Sequence, residues 1–301
     1  MGQCACLDGK KGEEKVEIEV LQAAKAKGTA AKSATAEAEA ALFGSEGLVF
    51  KEQIQISEGL HYTGQWKGNV REGEGILVRP DGGRYEGQFV DNMAQGFGKF
   101  YHANGEIYEG QWRADKAHGF GKFLHADGSS YEGEWVDDLM QGKGKEQWAD
   151  GSRFTGEYAN SKKNGQGEFV WADGSKFKGS FVDSDIHGEG TYKWNDGRVY
   201  TGQWEHNKMH GKGKMTWPDG KCYEGDYVHD RKDGYGKFTW LDGRSYEGGW
   251  KDGKQDGEGV FTSASGSKRK GRWEEGVRKC WYQEEENNGR NPEESPSAVR
   301  D

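Results

Sequence analysis

A unit of 23 residues recurs nine times in succession from Tyr62 to Lys268, with no insertion or deletion. A fixed period of that size specifies stacked copies of one supersecondary unit rather than a single globular core. Each copy opens on aromatic-x-Gly-x-aromatic, as in Tyr62-Gly64-Trp66, Tyr108-Gly110-Trp112, Tyr131-Gly133-Trp135 and Tyr246-Gly248-Trp250. A Gly-x-Gly pair follows at constant offset, from Gly73/Gly75 to Gly257/Gly259. The copy closes on Asp-Gly, for example Asp81-Gly82, Asp127-Gly128, Asp150-Gly151, Asp219-Gly220 and Asp242-Gly243. The second copy has Asn104-Gly105 there, and the last has Ser265-Gly266.

Alternate residues of a strand share a face, so each copy reads as a β-hairpin with Tyr62, Gly64 and Trp66 on one side and Thr63 and Gln65 on the other. Asp-Gly suits a tight two-residue hairpin turn, which places the longer polar connections at the opposite end, around 67–72 and 162–164. Glycine normally weakens a strand, so its recurrence at positions such as Gly156 and Gly202 demands a steric cause. The expected cause is an aromatic ring from a neighbouring strand lying across a residue that has no side chain. Ile54, Ile56 and Gly59 fit a half unit before the array, and Gly271 and Trp273 a degraded unit after it, with Arg269 in place of the opening aromatic. Roughly twenty strands about 4.8 Å apart would span on the order of 90 Å.

The pattern Tyr-x-Gly-x-Trp, a loop, Gly-x-Gly-x-aromatic and Asp-Gly closely resembles the MORN repeat (membrane occupation and recognition nexus). The likeness covers about two-thirds of the chain, and three glycines stay in register in every copy. It implies an all-β, elongated antiparallel hairpin array that works as a scaffold, as in junctophilins, radial-spoke head proteins and organisers of protist cortical membranes. Some relatives append a lipid-kinase or lysine-methyltransferase domain, and nothing after the last repeat is long enough to be one.

Composition fits a ribbon. Fifty glycines and a hydrophobic fraction of 32% are lean for a core of this length, whereas 13% aromatic is rich. The expected organisation is a lipid-anchor segment 1–11, a partly helical Ala/Glu/Lys-rich spacer 12–49, a half-repeat cap 50–61, nine repeats 62–268, a degraded cap 269–282 and a disordered tail 283–301.

Met1-Gly2-Gln3-Cys4-Ala5-Cys6 resembles an N-myristoylation site at Gly2 with palmitoylation at Cys4 and Cys6, although Cys6 stands where Ser or Thr is preferred. One acyl chain holds a membrane marginally, and a second makes the anchoring stable. The repeats hold 28 Lys and Arg against 33 Asp and Glu. Their acidic positions, Glu86, Glu109, Glu132, Glu134, Glu224 and Glu247, make them poor binders of an anionic leaflet. One basic run, Lys268, Arg269, Lys270 and Arg272, is a candidate for weak phosphoinositide contact.

No catalytic constellation emerges. The Gly-x-Gly stretches lack a phosphate loop's Gly-Lys-Ser/Thr, His118, His187 and His210 read as loop residues, and EF-hand spacing is absent. We therefore expect no catalytic, metal or cofactor site. At the eighteenth position of the unit the array places Trp148, Trp171, Trp194, Trp217 and Trp240, where the first three copies have Arg79, His102 and His125. Trp171, Trp194 and Trp217 are the candidate partner contacts, facing an amphipathic helix or a cytoskeletal component. The resulting expectation is a non-enzymatic scaffold tethered to the cytosolic face of a plasma, cortical or ciliary membrane, with no nucleic-acid partner and with homodimerisation left open. The alternative is a structural component of a ciliary axoneme or the cortical cytoskeleton.

Overall fold

The computed structural model describes residues 47–282. The expected lipid anchor, most of the helical spacer and the tail 283–301 lie outside the described residues. Among those described are twenty-one strands, from β1 (Leu48–Ser57), β2 (Leu60–Lys67), β3 (Val70–Val78) and β4 (Arg84–Val90) to β20 (Lys268–Glu274) and β21 (Val277–Trp281). Each pairs antiparallel with its neighbour in sequence, giving one open meander. The nine repeats and both expected caps contribute strands to it.

The hairpin closes at the end opposite to the one the sequence suggests. The tight two-residue turn lies between β2 and β3 and its equivalents, while Asp-Gly sits inside a five-residue connection such as 79–83. In that connection the Arg79 carbonyl accepts the Gly82 N–H at 3.0 Å, and Asp81 Oδ1 accepts the Gly83 N–H at 2.8 Å. The 162–164 segment, expected as a loop, is strand. From the second repeat onward both residues of the tight turn have positive φ, even Ala114 (49°) with Asp115 (66°) and His206 (45°) with Asn207 (65°). That is the twist a two-residue hairpin needs. The strain is offset by ties to the preceding repeat: Asp115 Oδ1 accepts the Ala94 N–H at 2.7 Å, and the Asp115 N–H donates to the Ala94 carbonyl at 3.0 Å.

The two strand glycines of each repeat form a single rib across the sheet. Gly64 pairs with Gly75, Gly75 with Gly87, Gly87 with Gly98, and the file continues to Gly259 opposite Gly271. The ring-over-glycine expectation holds at the second of these glycines, where the Tyr62 ring of the neighbouring strand covers Gly75. The first, such as Gly156 or Gly202, is instead closed in by the facing backbone and by the opening aromatic of its own strand. The opening tyrosine lies along the rib, so a Cβ on Gly133 would stand 2.5 Å from the Tyr131 hydroxyl oxygen. That hydroxyl donates to the carbonyl three residues on, as Tyr131 does to Glu134 at 3.0 Å and Tyr200 to Gln203 at 3.0 Å. Burial pushes the Tyr62 and Tyr246 phenols up to about 12. The first Gly of Gly-x-Gly has another role: it takes positive φ (Gly73, 79°) at a bulge, and Gln65 Oε1 accepts the freed Glu74 N–H at 2.8 Å.

The core is one layer of aromatic rings on one face of the sheet. The second aromatic of each repeat packs edge-on against the opening aromatic of its own repeat and of the preceding one. Phe89 meets Tyr85 at 5.1 Å and Tyr62 at 5.1 Å, and Trp250 meets Tyr246 at 5.5 Å and Tyr223 at 5.1 Å. These edge-to-face contacts run from repeat to repeat, so each copy is buried only by its neighbours. The indole N–H donates back to a rib carbonyl, Trp135 Nε1 to Gly121 O at 3.1 Å and Trp250 Nε1 to Gly236 O at 3.0 Å.

Candidate functional site

The eighteenth-position tryptophans lie on the aromatic face, at the start of the five-residue connections, and are half-buried. Trp148 stacks on Phe169 of the next repeat at 5.1 Å, while Trp171 packs at a tilt against Tyr192 at 4.9 Å and Trp217 against Phe238 at 5.8 Å. Trp194 packs on Tyr192 of its own repeat at 4.5 Å, and Arg198 covers its ring at 5.0 Å. Trp171 also meets Phe169 of its own repeat at 4.5 Å, and Lys232 lies 5.4 Å from the Trp217 ring, so Trp171, Trp194 and Trp217 form one half-buried file along the connections. Where Arg79 and His102 replace tryptophan, the face opens into a cleft of about 330 Å³ lined by Phe100, Tyr108, Trp112 and Trp135.

Three cations inside this face escaped the sequence reading. The tenth position of the repeat is mostly apolar (Ala94, Ala117, Met140, Ile186, Met209), but it is Arg71, Lys163 or Lys232 in three copies. That series was the available signal. Lys163 Nζ lies 4.7 Å from the Trp148 ring and 5.3 Å from Phe154, and it pairs with Glu146 at 3.0 Å. Tyr158 donates to the same carboxylate at 3.0 Å. Lys232 occupies the equivalent cage, 4.7 Å from Phe238, 4.8 Å from Trp250, 5.0 Å from Tyr223 and 5.4 Å from Trp217. The residue corresponding to Glu146 is Met215. Four rings attract the ammonium, but burial without a carboxylate pushes Lys232 down to about 8.

A pH dependence follows. Lysine in an unfolded chain titrates near about 10.4. Below pH 8 both states carry the proton, and the folded state bears the whole cost of the buried ammonium. Between about pH 8 and 10 the unfolded chain binds more protons, so stability rises with pH. The buried tyrosines reverse the trend above about pH 10, because their protons are held more tightly when folded. The urea midpoint is expected to climb from pH 7.5 to 9.5. Lys232→Met, the residue at Met140 and Met209, should raise the midpoint at pH 7.5 and flatten the profile. An unchanged slope in the variant would remove Lys232 as the cause.

The acidic positions of the polar face are opposed by lysines across the strands. Cross-strand pairing builds an alternating file Glu86, Lys99, Glu109, Lys122, Glu132, Lys145, and a second one Lys214, Glu224, Lys237, Glu247. Lys99 and Glu109 are 3.2 Å apart, as are Lys214 and Glu224. Glu134 accepts the Lys143 N–H at 3.0 Å. The same face exposes Phe97, Phe120 and Tyr235, beside the rib. The basic run on β20 is divided between faces: Lys268, Lys270 and Arg272 point to the polar side, where Lys270 meets Glu258 at 2.9 Å, and Arg269 covers Trp281 at 5.0 Å on the other. His118, His187 and His210 stand in strands, not loops. Gly2, Cys4 and Cys6 lie outside the described residues.

An open meander of identical hairpins, buried repeat on repeat through a glycine rib and a single aromatic layer, defines a β-repeat array. The family model of the MORN repeat matches at 62–84, 85–107, 108–130, 131–153, 154–176, 177–197, 200–222, 223–243 and 246–268, and the chain belongs to the MORN repeat family. No curated protein matches it. Among solved structures it is similar to the SAS-4 (dCPAP) TCP domain in complex with a proline-rich motif of Ana2 (dSTIL) of Drosophila melanogaster, at 15% identity and TM-score 0.32, over 50% of this chain and 81% of that one. A point mutant of the TCP10 domain of Danio rerio CPAP matches at 14% identity and TM-score 0.22, over 64% and 95%. A streptogramin B lyase matches at 12% identity and TM-score 0.15, over 76% and 83%.

Proposed function

We propose that this MORN-repeat protein is a non-enzymatic scaffold, held at the cytosolic face of a membrane by acyl chains on Gly2, Cys4 and Cys6. Its aromatic face docks an amphipathic segment of a protein partner. The observation that carries the reading is the indole file itself, in which Trp171, Trp194 and Trp217 stay half-buried on consecutive repeats. Half-buried aromatic side chains on a rigid sheet supply large contact area at little cost in entropy, and such residues dominate binding energy. The neutralised polar face offers an anionic leaflet no basic cluster, which leaves the membrane contact to the N-terminal lipids.

The experiment compares capture of a partner from a membrane fraction by the wild type, Trp194→Ala and the polar-face variant Lys178→Val. Trp194→Ala should cost about 2 kcal/mol of affinity or more, with β-sheet circular dichroism retained, and Lys178→Val should bind normally. Loss of binding only with Lys178→Val would move the interface to the polar face. In the same cells Gly2→Ala should pass to the soluble fraction. Unchanged fractionation of Gly2→Ala would favour the axonemal or cytoskeletal alternative.

A further inference from the structure

At one edge of the array the turns of successive repeats are tied by a side chain of the preceding repeat. Glu72 accepts the Asp91 N–H at 3.0 Å, Gln95 the Ala114 N–H at 3.1 Å, Gln141 the Asn160 N–H at 2.9 Å, and Asp233 the Asp252 N–H at 3.1 Å. The seventh repeat has His210 at this position, and the turn that follows begins with His229. His210 Nδ1 is buried and makes no hydrogen bond, and it faces Glu205 Oε2 at 3.3 Å. The two imidazole rings stand 5.4 Å apart at 63°. Donor atoms of Glu205, His210 and His229 all lie within 4.8 Å of one another.

The backbone fixes this meeting. Asp230 Oδ1 accepts the Met209 N–H at 2.8 Å, and the Asp230 N–H donates to the Met209 carbonyl at 3.0 Å. These two bonds hold the His229 turn against the strand that carries His210. The neighbouring pair His187 and His206 is arranged differently, because Asp185 Oδ2 already engages His206 Nδ1 at 3.1 Å.

We propose that Glu205, His210 and His229 bind a borderline divalent transition ion, with Zn²⁺ the best fit, clamping the hairpins of two consecutive repeats. Two imidazoles and one carboxylate suit zinc and not calcium or magnesium, which need oxygen ligands. Bonds of 2.0–2.1 Å in a tetrahedron bring donors to about 3.3 Å, the present Glu205–His210 separation. The remaining closure is a rotation of the exposed His229 side chain. Water would take the fourth position, leaving the ion exchangeable. The ion would supply the inter-repeat tie that a carboxylate or amide makes elsewhere on this edge.

The test is zinc titration of the full chain by calorimetry, against His210→Gln and His229→Asn. Sister repeats carry these residues at the same positions (Gln95, Gln141 and Asn160), so both variants should fold, as circular dichroism will verify. Because the chain has other thiols and histidines, the site is read by difference. The wild type should bind one more equivalent than either variant, or bind at least about tenfold more tightly. Zinc should raise the wild-type urea midpoint more than that of either variant, and magnesium or calcium should raise neither. Equal zinc stoichiometry and affinity in all three proteins, or no zinc binding by the wild type, would overturn the proposal.

Discussion

Gly213→Val is expected to destabilise the array by about 3 kcal/mol or more, at the upper end of what overpacking costs. Any Cβ at this position enters the ring of Tyr200, and that ring has nowhere to go. It is fully buried, its hydroxyl donates to the Gln203 carbonyl at 3.0 Å, and its faces meet Trp204 at 5.1 Å and Tyr227 at 5.2 Å. The partner glycine is no more tolerant: a Cβ on Gly202 would stand 2.5 Å from Gly213 Cα and from the Lys212 carbonyl oxygen. Lys178→Val on the polar face, opposite Glu168 and Thr191, should change stability by no more than about 0.5 kcal/mol. Gln203→Val is not a neutral comparison, because Gln203 Oε1 accepts the Lys212 N–H at the bulge at 2.9 Å. Urea unfolding followed by tryptophan fluorescence measures the difference. Equal midpoints for Gly213→Val and Lys178→Val would refute the rib packing.

The second large effect belongs to the buried ion pair. Glu146→Phe installs the residue that Phe123, Phe169 and Phe238 provide in other copies, yet it should cost about 2–3 kcal/mol. The variant leaves the Lys163 ammonium, whose side chain is only 15% exposed, without its carboxylate. Stranding one partner of a buried pair costs about 3–5 kcal/mol, and the surrounding rings return on the order of 1–2. Adding Lys163→Ile, the residue at Ile186, should recover most of the loss, since replacing both partners by packed apolar groups is close to neutral. A double-mutant cycle on urea midpoints reads the coupling. A double variant as unstable as Glu146→Phe alone would mean that Glu146 acts through Tyr158 and not through Lys163.

Much of the candidate site was legible because it repeats. The tryptophans at 148, 171, 194, 217 and 240 announce themselves by their period, and the alternation of a strand puts them on the aromatic face. The caged lysines were harder to see, since a lysine in a strand ordinarily projects to solvent. Only the pairing of Tyr158 with Lys163 and of Tyr227 with Lys232 turns those side chains inward. The charge balance of the polar face was likewise hidden. Glu109 and Lys122 are thirteen residues apart in the chain and become opposed only through strand register.

The 23-residue period by itself determined that this protein is a stack of hairpins with aromatic rings near its strand glycines, and the Tyr-x-Gly-x-Trp and Gly-x-Gly motifs carried the resemblance to the MORN repeat that the family model bears out. Those features are local or strictly periodic, so one copy read correctly gives all nine. The tertiary structure alone decided which end of the hairpin is tight. Asp-Gly serves equally in a two-residue turn and in the five-residue connection around Asp81 and Gly82, where Asp81 bonds to the Gly83 N–H. The true tight turns use residues such as Ala114 and His206, which disfavour positive φ in isolation. They hold that conformation because bonds such as Ala94 N–H to Asp115 Oδ1 and Ile186 N–H to Asn207 Oδ1 reach back to the preceding repeat. A contact across twenty-one residues stabilises the turn, and no local propensity records it.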